Sequence, residues 1–228
     1  MPATEGIVNL DKPPGLTSAR AVGVVKRLLP RGTKIGHAGT LDPFATGVLL
    51  LLVGRATKAC ERLMDAPKQY EAIVKLGATT ATEDPESPEI PAPPIEPPPP
   101  AAVAAAVQGL VGDILQRPPA FSAMKVGGRR AYDLARKGNL VELEPRTVRV
   151  YGINVLDYTW PLLRIRIDCG RGTYVRAIAR DLGAALGTGG YLTELRRTRV
   201  GAFSADASVT LDRVKTDGVA PYLRPTPA

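Results

Sequence analysis

Residues 36–58, GHAGTLDPFATGVLLLLVGRATK, hold the chain's only histidine, His37, and a lone carboxylate, Asp42, five positions further on. Gly36, Gly39 and Gly47 allow the backbone to approach closely, and Thr40 and Thr46 add hydroxyls, so the stretch has room for a substrate. Asp-Pro is also a common turn opener, which leaves a plain turn as the other reading. The residue types narrow the chemistry. No serine or cysteine motif completes a nucleophile–base pair with His37. A glycosidase needs two carboxylates across the scissile bond, whereas Asp42 has no acidic companion in the motif. Asp11, in NLDKPPG, reads as a turn residue, and nothing in the sequence pairs it with Asp42. A reaction carried by one aspartate fits best. Two cysteines, Cys60 and Cys169, and one histidine do not form a zinc ligand set, so no metal is expected and buried thiols are the simple reading.

The elements around this stretch follow from pattern. Val48–Val53 is an unbroken aliphatic run and reads as a buried strand. Upstream, GIVNLDKPPGLTS gives a short apolar segment, a proline stop, and Thr17 or Ser18 as a helix N-cap. The helix that follows should run to about Leu29 with Ala21, Val24, Val25 and Leu28 on one face. YEAIVKLG, 70–77, reads as a strand. Nine prolines between Pro85 and Pro100 remove donors and fix φ, so that stretch is a surface excursion, with a short helix at 101–107 after it. TVRVYGINVL and LLRIRIDC are strands; the second alternates Leu163, Ile165, Ile167 and Cys169 with Arg164, Arg166 and Asp168. GRGTYVRAIARDLGAALG turns into a helix with Val175, Ile178, Ala179, Leu182 and Leu186 on its stripe and Gly187 as its stop. Residues 116–139 read as a basic arm, an aromatic-bearing loop followed by a short helix ending at Gly138. The class expected is α+β, a mixed, largely antiparallel central sheet flanked by helices.

At 228 residues and 44% hydrophobic, one medium domain is the expectation. The six-residue aliphatic run is far below the ~20 residues of a membrane span, and no leader-like segment opens the chain, so a cytoplasmic protein is expected. Net charge is +8, and it is uneven. Residues 1–64 carry 9 basic and 4 acidic side chains, 65–115 carry 2 and 8, and 116–228 carry 19 and 10. Two basic blocks around an acidic one suit a surface that tracks a polyanion, as well as a merely soluble surface.

The motifs LDKPPGLTS, GHAGTLDPFATGVLLLLVGRATK, YEAIVKLG, RPPAFSAMKVGGRRAYDLARKG and GRGTYVRAIARDLG...LTELRRTRVGAF, in this order over residues 6–205, closely resemble the TruB-type tRNA pseudouridine(55) synthases. The resemblance implies a pseudouridine synthase fold and isomerisation of a uridine in the tRNA T loop: the N1–C1′ bond breaks, the uracil turns, and C5 rejoins C1′ without a cofactor. It implies Asp42 as the catalytic aspartate, Arg176 as its paired cation, and Tyr70 as the aromatic that stacks on an extruded base. Tyr174 and Leu195 would line the pocket, Lys12 would support its framework, and His37 would meet the RNA near the flipped base. Lys125, Arg129, Arg130 and Lys137 would grip the T stem-loop from an arm spanning 116–146. The organisation implied is a catalytic domain at 1–210 with a proline-rich loop at 84–100, then a tail at 211–228 without a full PUA-type domain. A monomer acting on tRNA is expected; a non-catalytic RNA chaperone is the alternative. The match departs at ATTATEDPES, where Ala81 replaces an expected acid and Ser87 stands near an expected glycine.

Overall fold

The computed structural model describes residues 5–122, 124–126, 129–130 and 143–226; of 125, 126, 129 and 130 it describes the backbone alone. The chain forms two compact units, Met1–Tyr70 with Leu195–Ala228, and Glu71–Glu194.

The first unit contains β1 (Gly6–Lys12), α1 (Ser18–Lys26), β2 (Ile35–Ala38), β3 (Thr46–Val53) and α2 (Cys60–Asp65). It also holds the start of β4 (Lys68–Leu76), the end of β12 (Gly190–Val200), β13 (Phe203–Ser204), β14 (Val209–Thr210) and α5 (Leu211–Asp217). Its sheet runs β14-β1-β3-β12, with β2 beside β3 and β13 beside β12. Every residue of Val48–Val53 is at most 1% exposed, which is why this strand carries no polar alternation. Thr17 caps α1 by accepting from the Arg20 amide at 3.1 Å. The helix ends at Lys26, short of the expected Leu29, because the next three amides bond to carbonyls three residues back. Leu28 is consequently exposed rather than part of the buried stripe. Asp11 lies within β1, not in a turn. Residues beyond 210 pack here too: Leu211 and Val214 of α5 are buried, and Arg224 exchanges two backbone hydrogen bonds of 2.9 Å with Ile7.

The second unit contains the rest of β4, then β5 (Ala78–Thr80), β6 (Glu89–Pro91), α3 (Pro100–Gln108), β7 (Gly112–Gln116), β8 (Lys125–Val126) and β9 (Arg129–Arg130). β10 (Arg146–Thr159), β11 (Leu162–Cys169), α4 (Val175–Ala185) and the start of β12 complete it. Its main sheet runs β12-β4-β11-β10-β7. β11 buries Leu163, Ile165, Ile167 and Cys169 and turns its arginines outward, as the alternation requires. The proline-rich stretch is largely exposed but is not all loop: β6 pairs with β5, and α3 begins at Pro100, where a missing N–H costs nothing. β8 and β9 form a small hairpin within the arm. The helix expected before Gly138 lies outside the described residues. Most pairings in both units are antiparallel, β1–β14 and β3–β12 are parallel, and helices flank the strands, giving the expected α+β class.

Candidate active site

Asp42 lies half-buried in the loop between β2 and β3, and the backbone on either side of it is fixed by side chains from three other elements. The Ser18 hydroxyl, buried at the start of α1, donates to the Leu41 carbonyl at 3.1 Å and accepts from the Leu41 amide at 2.9 Å. One hydroxyl has capacity for both. Beyond Asp42, the Pro43 carbonyl accepts from Lys12 Nζ at 3.0 Å and from the Gly15 amide at 2.9 Å. Lys12 is fully buried and its ammonium also donates to the carbonyls of Pro13, 2.9 Å, and Leu16, 2.7 Å. These carbonyl dipoles offset part of the cost of taking the ammonium out of water. Finally Arg197, 1% exposed on β12, donates to the carbonyls of Gly39 (3.1 Å), Thr40 (3.4 Å) and Val48 (2.7 Å), gripping both limbs of the loop. The backbone that bears the carboxylate is held in this way, and a reacting group needs such a fixed mount.

Arg176 is buried in the first turn of α4, at 3% exposure. Its Nη1 donates to the Thr82 carbonyl at 2.9 Å and to Asp84 Oδ2 at 3.2 Å, and its Nη2 donates to the Phe121 carbonyl at 2.8 Å. Asp84 is 2% exposed and also accepts from the Thr82 hydroxyl and the Glu86 amide. Asp84 lies three residues after Ala81, inside the loop joining β5 to β6. One turn along α4, Arg180 bonds Glu83 at 2.8 Å, Asp181 at 2.8 Å and the Arg117 carbonyl at 2.9 Å. Burial pushes the Glu83 carboxyl above the usual range, and Arg180 offsets this only in part.

The remaining sequence-predicted residues are distributed as follows. His37 is on β2, with its carbonyl near Cys60 Sγ at 3.6 Å. Tyr70 is buried on β4 and Leu195 on β12. Tyr174 caps α4; its amide donates to Gln116 Oε1 at 2.8 Å, its carbonyl accepts from Gln116 Nε2 at 3.2 Å, and the Arg146 guanidinium stands 5.4 Å from its ring centroid. Asp42, Lys12, His37, Tyr70 and Leu195 belong to the first unit, Tyr174 and Arg176 to the second. Lys125, Arg129 and Arg130 lie on β8 and β9, while Lys137 is outside the described residues. Sequence reasoning missed Ser18 as more than a cap, and missed Asp84 and Arg197. Among the described residues no group of three or more His, Cys, Asp or Glu side chains could hold a metal ion.

Solved structures similar to this chain include an archaeal box H/ACA Nop10–Cbf5 complex, at a TM-score of 0.67 and 31% identity over 95% of this chain and 57% of that one. A Cbf5–Nop10–Gar1 complex matches at 0.71 and 32%, again over 95% of this chain and 57% of the other. The chain therefore spans less than two thirds of those solved chains. A tRNA pseudouridine synthase B of Mycobacterium tuberculosis is 49% identical over 212 residues, 91% of this chain and 70% of the relative. One from Aromatoleum aromaticum is 48% identical over 207 residues, 91% and 67%. The model of the TruB family pseudouridylate synthase N-terminal domain matches residues 26–175, and that of the tRNA pseudouridylate synthase B C-terminal domain matches 176–223. Fold and matches together define a pseudouridine synthase. The chain belongs to the TruB family.

Proposed function

We propose that the chain isomerises one uridine of the tRNA T loop, position 55, to pseudouridine, with Asp42 as the reacting carboxylate. The observation that carries this reading is the bracing of the Asp42 loop by Ser18, Lys12 and Arg197, which holds a single acid where the family motif has one. The reaction is balanced without a cofactor: the N1–C1′ bond breaks, the uracil rotates, C5 bonds to C1′, and the C5 proton leaves while N1 regains one. Asp42 serves either by attack at C1′ or by taking the C2′ proton, and both routes need it ionised. Arg176 assists as a cation, Tyr70 stacks on the extruded base, and Tyr174 and Leu195 bound the pocket. Lys12 supports the loop and takes no part in proton transfer. His37 and the basic residues Lys125, Arg129, Arg130 and Lys137 engage the RNA, the last four through phosphates. The catalytic region covers residues 1–210, and the protein acts in the cytoplasm as a monomer.

Asp42→Asn keeps the size of the side chain while removing its charge and turning one acceptor oxygen into an NH2 donor. On an unmodified tRNA transcript it should bind like the parent yet lose turnover by at least the ~100-fold typical of a lost catalytic group, read as pseudouridine by mass spectrometry. Undiminished pseudouridine formation would remove Asp42 from the reaction. Equal remodelling of the T loop by parent and variant, with no pseudouridine from either, would favour the chaperone reading instead.

A further inference from the structure

Glu83 is the only non-glycine with a positive φ among the described residues, at +60°, and it immediately precedes the buried Asp84 that bonds Arg176. The left-handed backbone is disfavoured for a side chain with an ordinary Cβ, so something must hold it. Two anchors do. The Glu83 carbonyl accepts from the Leu192 amide at 3.2 Å, and its carboxylate accepts from Arg180 Nη1 at 2.8 Å. Arg180 is itself tied down, by Asp181 at 2.8 Å and by the Arg117 carbonyl at 2.9 Å. Arg176 and Arg180, four residues apart on one face of α4, bridge the same two segments: residues 82–84, and residues 117–121 at the root of the arm.

We propose that Arg180 is a positioning residue of the reaction, holding Glu83 in its left-handed conformation so that Asp84 stays aimed at Arg176. This rests on the pseudouridine-forming role given to the chain above. Without the Arg180 fork the Glu83 backbone relaxes toward negative φ, the next residue swings, and Arg176 loses a carboxylate partner. The effect falls on the assembled site rather than on RNA affinity, so kcat drops while KM for tRNA hardly moves.

Four forms decide it: parent, Arg180→Ala, Arg180→Lys, and Arg180→Ala combined with Glu83→Gly. Arg180→Ala should lower kcat about tenfold, the scale set by releasing one left-handed residue, with KM within about twofold. Arg180→Lys, which still reaches the Glu83 carboxylate, should retain most of the rate. The double variant should recover to within about threefold of the parent, because glycine adopts positive φ without an anchor. Because a glycine at positive φ also stabilises the fold, rates are compared per folded molecule, where a mere loss of stability would leave kcat unchanged. An unchanged kcat in Arg180→Ala, a lysine variant as slow as the alanine one, or a double variant no faster than Arg180→Ala would each overturn the proposal. Amide exchange at Glu86, whose N–H bonds Asp84 Oδ1 at 3.0 Å, supplies a readout independent of turnover. It should quicken in Arg180→Ala and slow again in the double variant; if the parent made no pseudouridine, the functional reading would fail while this exchange still tested the anchoring.

Discussion

Two buried cations, Lys12 and Arg197, are placed against backbone carbonyls, and two outward arginines of β11 against a carboxylate, and the two arrangements respond differently to pH. Lys12 and Arg197 hold the Asp42 loop through carbonyls, which do not titrate. Glu71 of β4 instead sits between two arginines of β11, Arg166 at 2.8 Å and Arg164 at 2.9 Å. Hydrogen bonds from Arg166 and then Arg164 hold its carboxyl below the ordinary value of 4.5. A depressed carboxyl adds stability at pH above its unfolded value and loses it as the folded group is protonated. Glu71→Gln should therefore lower the unfolding free energy from urea titrations at neutral pH by the ~0–1 kcal/mol of a partly exposed pair, and the gap to the parent should close as pH falls below the ordinary carboxylate range. A gap that stays constant as pH falls through and well below that range would exclude the ion pair as its source. Glu83 has the opposite sign: burial raises its carboxyl, so its ionisation costs stability as pH rises through the carboxylate range.

Between elements, the tightest approach around the candidate site is β3 on β12, where Gly47 pairs in parallel with Arg197. A Cβ at Gly47 would stand 2.2 Å from the Arg197 carbonyl oxygen, on a backbone with φ of +97°. Gly47→Ala must push β12 away and carry the Arg197 side chain off the Asp42 loop with it. It should cost at least the ~1–3 kcal/mol of an overpacked site, visible as a lowered thermal midpoint. Gly36→Ala is the control: a Cβ there meets nothing within 4 Å, so its change should stay within the ~0.5 kcal/mol of an ordinary surface substitution. If the two variants melt together, the close approach does not limit stability. The contrast also marks what could be read in advance. Gly36, Gly39 and Gly47 were all legible as small residues, yet of the three only Gly47 makes a close backbone approach, to a neighbour 150 residues away in sequence. The same holds for the braces of the loop. Ser18 to Leu41 spans 23 residues and Arg197 to Thr40 spans 157, and no local period encodes such pairs. The alternation of β11, the unbroken run of β3 and the stripe of α4 were legible because burial on one or both faces dictates them residue by residue. The early end of α1 was not, since its last residues trade helical for tighter bonds without any change in apolar spacing.

Across the whole chain the net charge of +8 is divided so that residues 65–115 are acidic while both flanking regions are basic. A polyanion partner would be drawn to the basic regions and repelled from the acidic one, and the strength of that attraction is measurable without knowing its geometry. Each phosphate neutralised on a single-stranded or duplex RNA segment contributes about 0.7–0.9 to the slope of log affinity against log salt. Replacing Arg129 and Arg130 together by alanine should therefore flatten the slope for tRNA by about 1.4–1.8 if both contact phosphates. Affinity at low salt should fall with it, and the two salt curves should converge as salt rises, because only the counterion-release part has been removed. Weaker binding with an unchanged slope would mean that these arginines support the arm without touching phosphate, and the basic contacts would then have to lie among the other cations of the 116–228 region.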